Sequence, residues 1–122
     1  MSRLLVIEDD ETIGSVLESS LRAHGHQVAW QRTGRDALRA ASETDFDLVL
    51  LDLGLPKLNG YEVAQRLRER PWGEHLALIA VTGWGQDDDK RRSQDVGFNF
   101  HMVKPVDPDA LAKVLNGLLL PG

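Results

Sequence analysis

The chain has 122 residues, about one domain's worth, and its 42% hydrophobic and 27% charged residues suit a globular fold with one core rather than a disordered chain. It contains no cysteine, which excludes disulfide scaffolds, cysteine nucleophiles and thiolate metal sites. With 14 basic against 19 acidic residues the formal charge is −5, so neither nucleic acid nor a membrane surface is expected as a direct partner. No apolar run reaches the roughly 18 residues of a membrane span, and no basic, apolar leader opens the chain, so a cytoplasmic protein is expected.

Turn signals divide the chain from end to end. Arg3 to Ile7 (RLLVI) reads as a short buried strand, followed by the acids Glu8, Asp9 and Asp10. Ile13, Val16, Leu17 and Leu21 then recur at helical spacing until Gly25, with Asp10 placed to cap that helix. Gln27 to Gln31 (QVAWQ) is a second strand, and Thr33 is positioned to cap a helix through Ala37, Leu38 and Ala41. Asp47 to Leu51 is a third strand ending at Asp52. A loop from Gly54 to Gly60 leads into a helix carrying Tyr61, Val63, Ala64 and Leu67. Leu76 to Val81 is the fourth strand, ended by Thr82 and followed by Gly83-Trp84-Gly85. A polar helix is predicted from Gln86 to Val96. The fifth strand spans Phe98 to Val103 and closes on Lys104-Pro105. Asp107-Pro108 fits a helix start, and Leu111, Val114, Leu115 and Leu118 form the last buried stripe.

Five apolar strands alternating with five helices predict an open α/β sheet, parallel and covered on both faces. In such sheets function gathers beyond the carboxyl ends of the strands. The residues there are Glu8 and Asp9 after the first strand, Asp52 after the third, Thr82 after the fourth and Lys104 after the fifth. Carboxylates held close together raise a pKa or demand a cation. An all-oxygen set without His or Cys favours Mg²⁺. An ammonium and a metal flanking one carboxylate would stabilise a phosphoryl group carried on it, and aspartate is a known covalent acceptor.

Four motifs stand at these strand ends in order: VIEDD (6–10), LLDLGLPKLNG (50–60), VTGWG (81–85) and VKP (103–105). Together they resemble the receiver domain of two-component response regulators, over essentially the whole chain. The resemblance implies a flavodoxin-like (βα)5 doubly wound fold with strand order 2-1-3-4-5; the chemotaxis receiver is itself the standard example of that order. It implies Asp52 as phosphoacceptor, with Asp9 as direct Mg²⁺ ligand, Glu8 acting through water, and the Gly54 backbone carbonyl facing the metal; Mn²⁺ is a substitute. Thr82 and Lys104 would bind phosphoryl oxygens, and a cis peptide would precede Pro105. The phosphodonor would be a histidine kinase or phosphotransfer protein. The output would be a shift of the face formed by residues 86–96, the fifth strand and the last helix, in a signalling switch that catalyses only its own phosphorylation and dephosphorylation. A single receiver over residues 1–122, with no output domain, is expected, and the stretch from Thr82 to Leu111 is most similar to receivers of hybrid histidine kinases.

His101 stands where the family turns an aromatic residue inward, although a histidine in a strand is as readily half-buried packing. By the same resemblance Gly54 and Trp84 occupy positions that tune acyl-phosphate lifetime in the family, and Trp84 is expected to shield the phosphoryl group. His24, His26 and His75 fall near turns and are expected at the surface. Lys90-Arg91-Arg92 follow Asp87, Asp88 and Asp89 in an order that suits a solvated helix dipole, and that nearly all-polar helix is expected to be the moving element. Two rivals remain. An Asp-nucleophile phosphohydrolase would carry a second Asp where Gly54 stands, and an FMN carrier would need a hydroxyl- and glycine-rich loop where Glu8-Asp9-Asp10 stand.

Overall fold

The computed structural model describes residues 2–54, 60–83 and 97–119. Its strands are β1 (Arg3–Ile7), β2 (Gln27–Gln31), β3 (Leu48–Asp52), β4 (Ala77–Thr82) and β5 (Phe100–Val103). The α-helices among the described residues are α1 (Glu11–Ala23), α2 (Gly34–Glu43), α3 (Gly60–Arg68) and α4 (Pro108–Leu119), with a 3-10 turn at Gly73–His75. All strands pair in parallel in the order β2-β1-β3-β4-β5, as the family resemblance implies.

Successive strand residues face opposite sides, so each central strand feeds two cores. Leu5 and Ile7 of β1 join Val49, Leu51 and Leu78 beneath α2 and α3, where Ala37, Ala41, Val63, Ala64 and Leu67 complete one cluster. Leu4 and Val6 join Leu48, Leu50 and Ile79 beneath α1 and α4, where Leu17, Leu21, Leu111 and Leu115 complete the other. Burial on both faces explains why β3 and β4 are apolar without alternation.

The predicted caps are present. Asp10 Oδ1 accepts from the Ile13 N–H at 2.9 Å, Thr33 Oγ1 from Asp36 N–H at 3.1 Å, and Asp107 Oδ1 from Asp109 N–H at 3.1 Å. Several boundaries move by one or two residues. β3 starts at Leu48, and Asp47 just before it is tied to β1 through its side chain, which accepts from the Arg3 N–H at 2.8 Å. β4 includes Thr82, whose carbonyl accepts from Lys104 N–H at 2.8 Å, and β5 begins at Phe100 rather than Phe98. Val16, which recurs at helical spacing with Ile13, Leu17 and Leu21, is 52% exposed, because Gly14, Leu17 and Leu21 define the face turned to the sheet. His24 and His75 are exposed as expected, whereas His26 is half-buried, and the loss of water there lowers its pKa. The helix expected over 86–96, with Lys90-Arg91-Arg92, lies outside the described residues, as does Trp84.

Candidate functional site

Strand register builds the site. Ile7 is level with Leu51, Asp52 with Val81, and Thr82 with Val103, so the residues that end or follow these strands meet along one edge. Glu8, Asp52 and Thr82 are 2%, 3% and 6% exposed, and Asp9 is half-buried beside them. Oxygens of Glu8, Asp9 and Asp52 lie within 4.8 Å of one another. Lys104 reaches across from the end of β5, its Nζ standing 2.5 Å from Asp52 Oδ2 and 3.3 Å from Glu8 Oε1. The Gly54 N–H donates to Asp52 Oδ1 at 2.8 Å. The peptide between Lys104 and Pro105 is cis. Beside this cluster an apolar cavity of about 170 Å³ runs between α1 and the sheet, lined by Ile13, Val16, Leu17, Leu50, Val81 and Val106.

Burial divides the protons unequally. Glu8 is pushed up to about 8, first by loss of water, then by a hydrogen bond with Asp52 and by its negative charge, with Lys104 opposing. Burial would raise Asp52 too, but the bonds from Glu8, Lys104 and the Gly54 N–H outweigh it and hold its carboxyl below the usual range. Lys104, although desolvated, is raised by the two carboxylates it faces. The two carboxyls are thus pushed in opposite directions, Glu8 toward its protonated form and Asp52 toward its anion. Glu8 Oε2 is buried with no hydrogen-bond donor. Only a proton or a cation can satisfy it. Three clustered carboxylates, one with an orphaned oxygen and with no histidine or cysteine in the set, fit a hard divalent cation.

The structure brings together four predicted residues, Glu8, Asp9, Asp52 and Lys104, places Thr82 buried at the end of the neighbouring β4, and sets Gly54 against the Asp52 carboxylate. A Cβ on Gly54 would come 3.3 Å from Asp52 Oδ1, so the position is tight on that side. His101 lies one strand over, level with Ala80, half-buried, its ring 5.9 Å from that of Phe98. Sequence reasoning missed Trp30 and Arg32, whose side chains donate to the Glu8 and Asp9 carbonyls at 2.8 and 2.9 Å. The available signal was a tryptophan one strand from an acidic turn that leads into a helix with Gly14 in its first turns.

A doubly wound parallel sheet in the order 2-1-3-4-5, with a carboxylate cluster and a lysine ammonium at its carboxyl edge, is the architecture of receiver-type signalling domains. Residues 4–116 match the response regulator receiver domain family, and the chain belongs to that family, whose members are signalling domains of two-component systems rather than conventional enzymes. It is 33% identical over 119 residues to protein PilH of Pseudomonas aeruginosa, covering 98% of each chain. The chemotaxis response regulator CheY4 of Vibrio cholerae superposes with a TM-score of 0.90 at 26% identity, with 98% and 99% of the two chains covered. The receiver domain of sensor histidine kinase PA1611 from Pseudomonas aeruginosa, whose structure has magnesium in the active-site cleft, gives 0.85 at 28% identity, covering 96% of each chain. The chain spans about half the length of other relatives, 53% and 52% of two transcriptional regulatory proteins. No described helix is long and apolar enough to cross a membrane.

Proposed function

We propose that the protein is a phosphorylation-dependent switch that takes a phosphoryl group from a phosphohistidine onto Asp52. The donor is a histidine kinase or phosphotransfer protein, and both work in the cytoplasm. The observation that carries the reading is the Lys104 ammonium 2.5 Å from a buried Asp52 carboxylate within a three-carboxylate cluster.

Mg²⁺ bound by Glu8, Asp9, Asp52 and the Gly54 carbonyl, or Mn²⁺ in its place, would supply positive charge to the transferring oxygens. Asp52 is poised as nucleophile because its carboxyl stays ionised, with Oδ1 fixed by the Gly54 N–H. One Asp52 oxygen forms the new O–P bond while the P–N bond to the donor imidazole breaks, and the imidazole leaves with its electron pair. Lys104 then moves its hydrogen bond from the carboxylate to a phosphoryl oxygen, which stabilises charge in the transition state and the product. Thr82, at the end of β4, binds another phosphoryl oxygen, and its movement with His101 relays the change to β5 and α4. A shift of that surface is a change in population between two states.

Incubation with Mg²⁺ and a small acyl phosphate or phosphoramidate tests the reading. Label should map to Asp52 and disappear in Asp52→Asn. Label retained at full level in that variant overturns the assignment, and steady turnover of phosphomonoesters would point instead to the phosphohydrolase.

A further inference from the structure

The acidic turn after β1 is held by a set of contacts that the phosphotransfer reading does not use. β1 and β2 run in register, Val6 with Trp30 and Ile7 with Gln31, and their pairing ends where the Glu8 N–H donates to the Gln31 carbonyl at 3.1 Å. Past this point the Glu8 and Asp9 carbonyls have run beyond the strand ladder and need other donors. Two side chains supply them. Trp30 Nε1 donates to the Glu8 carbonyl at 2.8 Å, and Arg32 Nη2 donates to the Asp9 carbonyl at 2.9 Å. Residues 30, 31 and 32 thus grip three backbone groups of two consecutive acids. The following residue is tied as well: the Asp10 side chain caps α1, and its carbonyl accepts from Gly14 N–H at 2.8 Å.

The indole has room to lie there because residue 14 is glycine. A Cβ on Gly14 would stand 2.1 Å from Trp30 Cε2, far inside contact distance. A half-buried tryptophan needs a partner for its N–H. Here the partner is the peptide that aims Glu8.

We propose that Trp30 and Arg32 are positioning residues for the acidic pair, fixing the Glu8 and Asp9 peptide planes so that both carboxylates converge beside Asp52 before a divalent cation arrives. The inference rests on the reading of these carboxylates as a cation site. Its logic is electrostatic and entropic. Carboxylates held within 4.8 Å repel, and a free turn would relax by swinging them apart. A turn gripped at both carbonyls cannot, so the ordering is completed on folding and binding is spared that cost. Neither residue touches the reacting atoms.

Mg²⁺ titration by calorimetry on the wild type, Trp30→Phe and Arg32→Ala tests the proposal. Trp30→Phe keeps a ring over Gly14 and removes the indole donor, so the Mg²⁺ Kd should rise about 3- to 10-fold, the worth of one hydrogen bond. The metal-free thermal midpoint should move by only a few degrees. Arg32→Ala separates positioning from charge by sign. Deleting a cation beside the site should tighten Mg²⁺ binding if the field alone matters; loss of positioning weakens it. A Trp30→Phe Kd within twofold of wild type, or tighter binding by Arg32→Ala, overturns the proposal. If Trp30→Phe does not fold, the exposed Arg32 carries the test alone. A wild-type protein that binds no Mg²⁺ overturns the cation-site reading itself, a failure visible before any substitution is made.

Discussion

The two ends of the sheet treat desolvated charge in opposite ways. At the amino edge the Arg68 guanidinium, at the end of α3, donates to the carbonyls of Gly73 at 3.0 Å, Gly97 at 2.5 Å and Leu76, and to Asn99 Oδ1 at 3.0 Å. Asn99 Oδ1 also accepts from Leu78 N–H at 2.8 Å, which ties the lead-in to β5 onto β4. This cation has neutral acceptors on every side, and among the described residues no carboxylate pairs with it. At the carboxyl edge, Glu8 and Asp52 share the Lys104 ammonium with Asp9 clustered beside them, and a buried Glu8 oxygen has no donor among the described residues. The first arrangement is complete and stabilises the fold; the second is incomplete and has affinity to spare. That difference is what the proposed function rests on.

The largest effect expected from breaking the contrast is at Lys104. Lys104→Ala removes the ammonium facing Asp52 and should slow labelling by a small phosphodonor by about 100-fold or more, the usual cost of losing a fixed charge at a reacting oxyanion. A wild-type labelling rate in this variant would mean that the ammonium serves structure only. Next comes Arg68. Arg68→Leu strands several acceptors and should cost about 2–3 kcal/mol in urea unfolding, while the Mg²⁺ Kd stays within twofold. Arg68→Lys should recover only part, since an ammonium cannot span a fork of four acceptors. A shift in Mg²⁺ affinity in either variant would join the two ends and break the distinction.

A smaller effect follows from Glu8. Its folded pKa is raised from 4.5 to about 8, so between those values the folded chain keeps a proton that the unfolded chain has lost. Stability of the metal-free protein should therefore fall as pH rises through that window, by on the order of 1 kcal/mol per pH unit at most. Asp52 acts in the opposite sense: its lowered pKa stabilises above the ordinary aspartate range, and that contribution is lost on acidification. Urea midpoints from pH 5 to pH 8 without metal test the slope; Glu8→Gln should flatten it, and saturating Mg²⁺ should reverse it by displacing the proton. An unchanged slope in Glu8→Gln would show that the proton resides elsewhere.

Much of this was legible in the chain itself, for identifiable reasons. Runs such as Leu48 to Leu51 leave a buried parallel strand as the simplest reading, and once strands are placed, Glu8, Asp52, Thr82 and Lys104 fall at one edge without further assumption. The caps at Asp10, Thr33 and Asp107 are local chemistry, complete within three residues. What escaped acts across elements through backbone carbonyls. Arg68 bonds to Gly97 over 29 positions, and Trp30 to Glu8 over 22, and neither partner has a side-chain signature to match. Val16 escaped because helical spacing marks a stripe but not its edge, and that residue sits on the rim of the cavity beside the site. His101 makes a tilted ring contact with Phe98, the half-buried packing that a histidine in a strand also allows.

The smallest effect separates burial from proximity. Glu62 and Arg66, one turn apart on α3, make an ion pair of 2.9 Å in the favoured acid-before-base order, yet their side chains are 56% and 60% exposed. Lys104 and Glu8 stand farther apart at 3.3 Å, with Glu8 only 3% exposed. If distance governed, the helix pair would matter more. Because water screens it and two long side chains must be held still, Glu62→Gln should change unfolding stability by no more than about 0.5 kcal/mol and lose even that in high salt. Labelling of Asp52 should be untouched. A loss approaching the cost expected at Arg68 would show that charge is weighted by separation in this fold, and the contrast between its two edges would lose its basis.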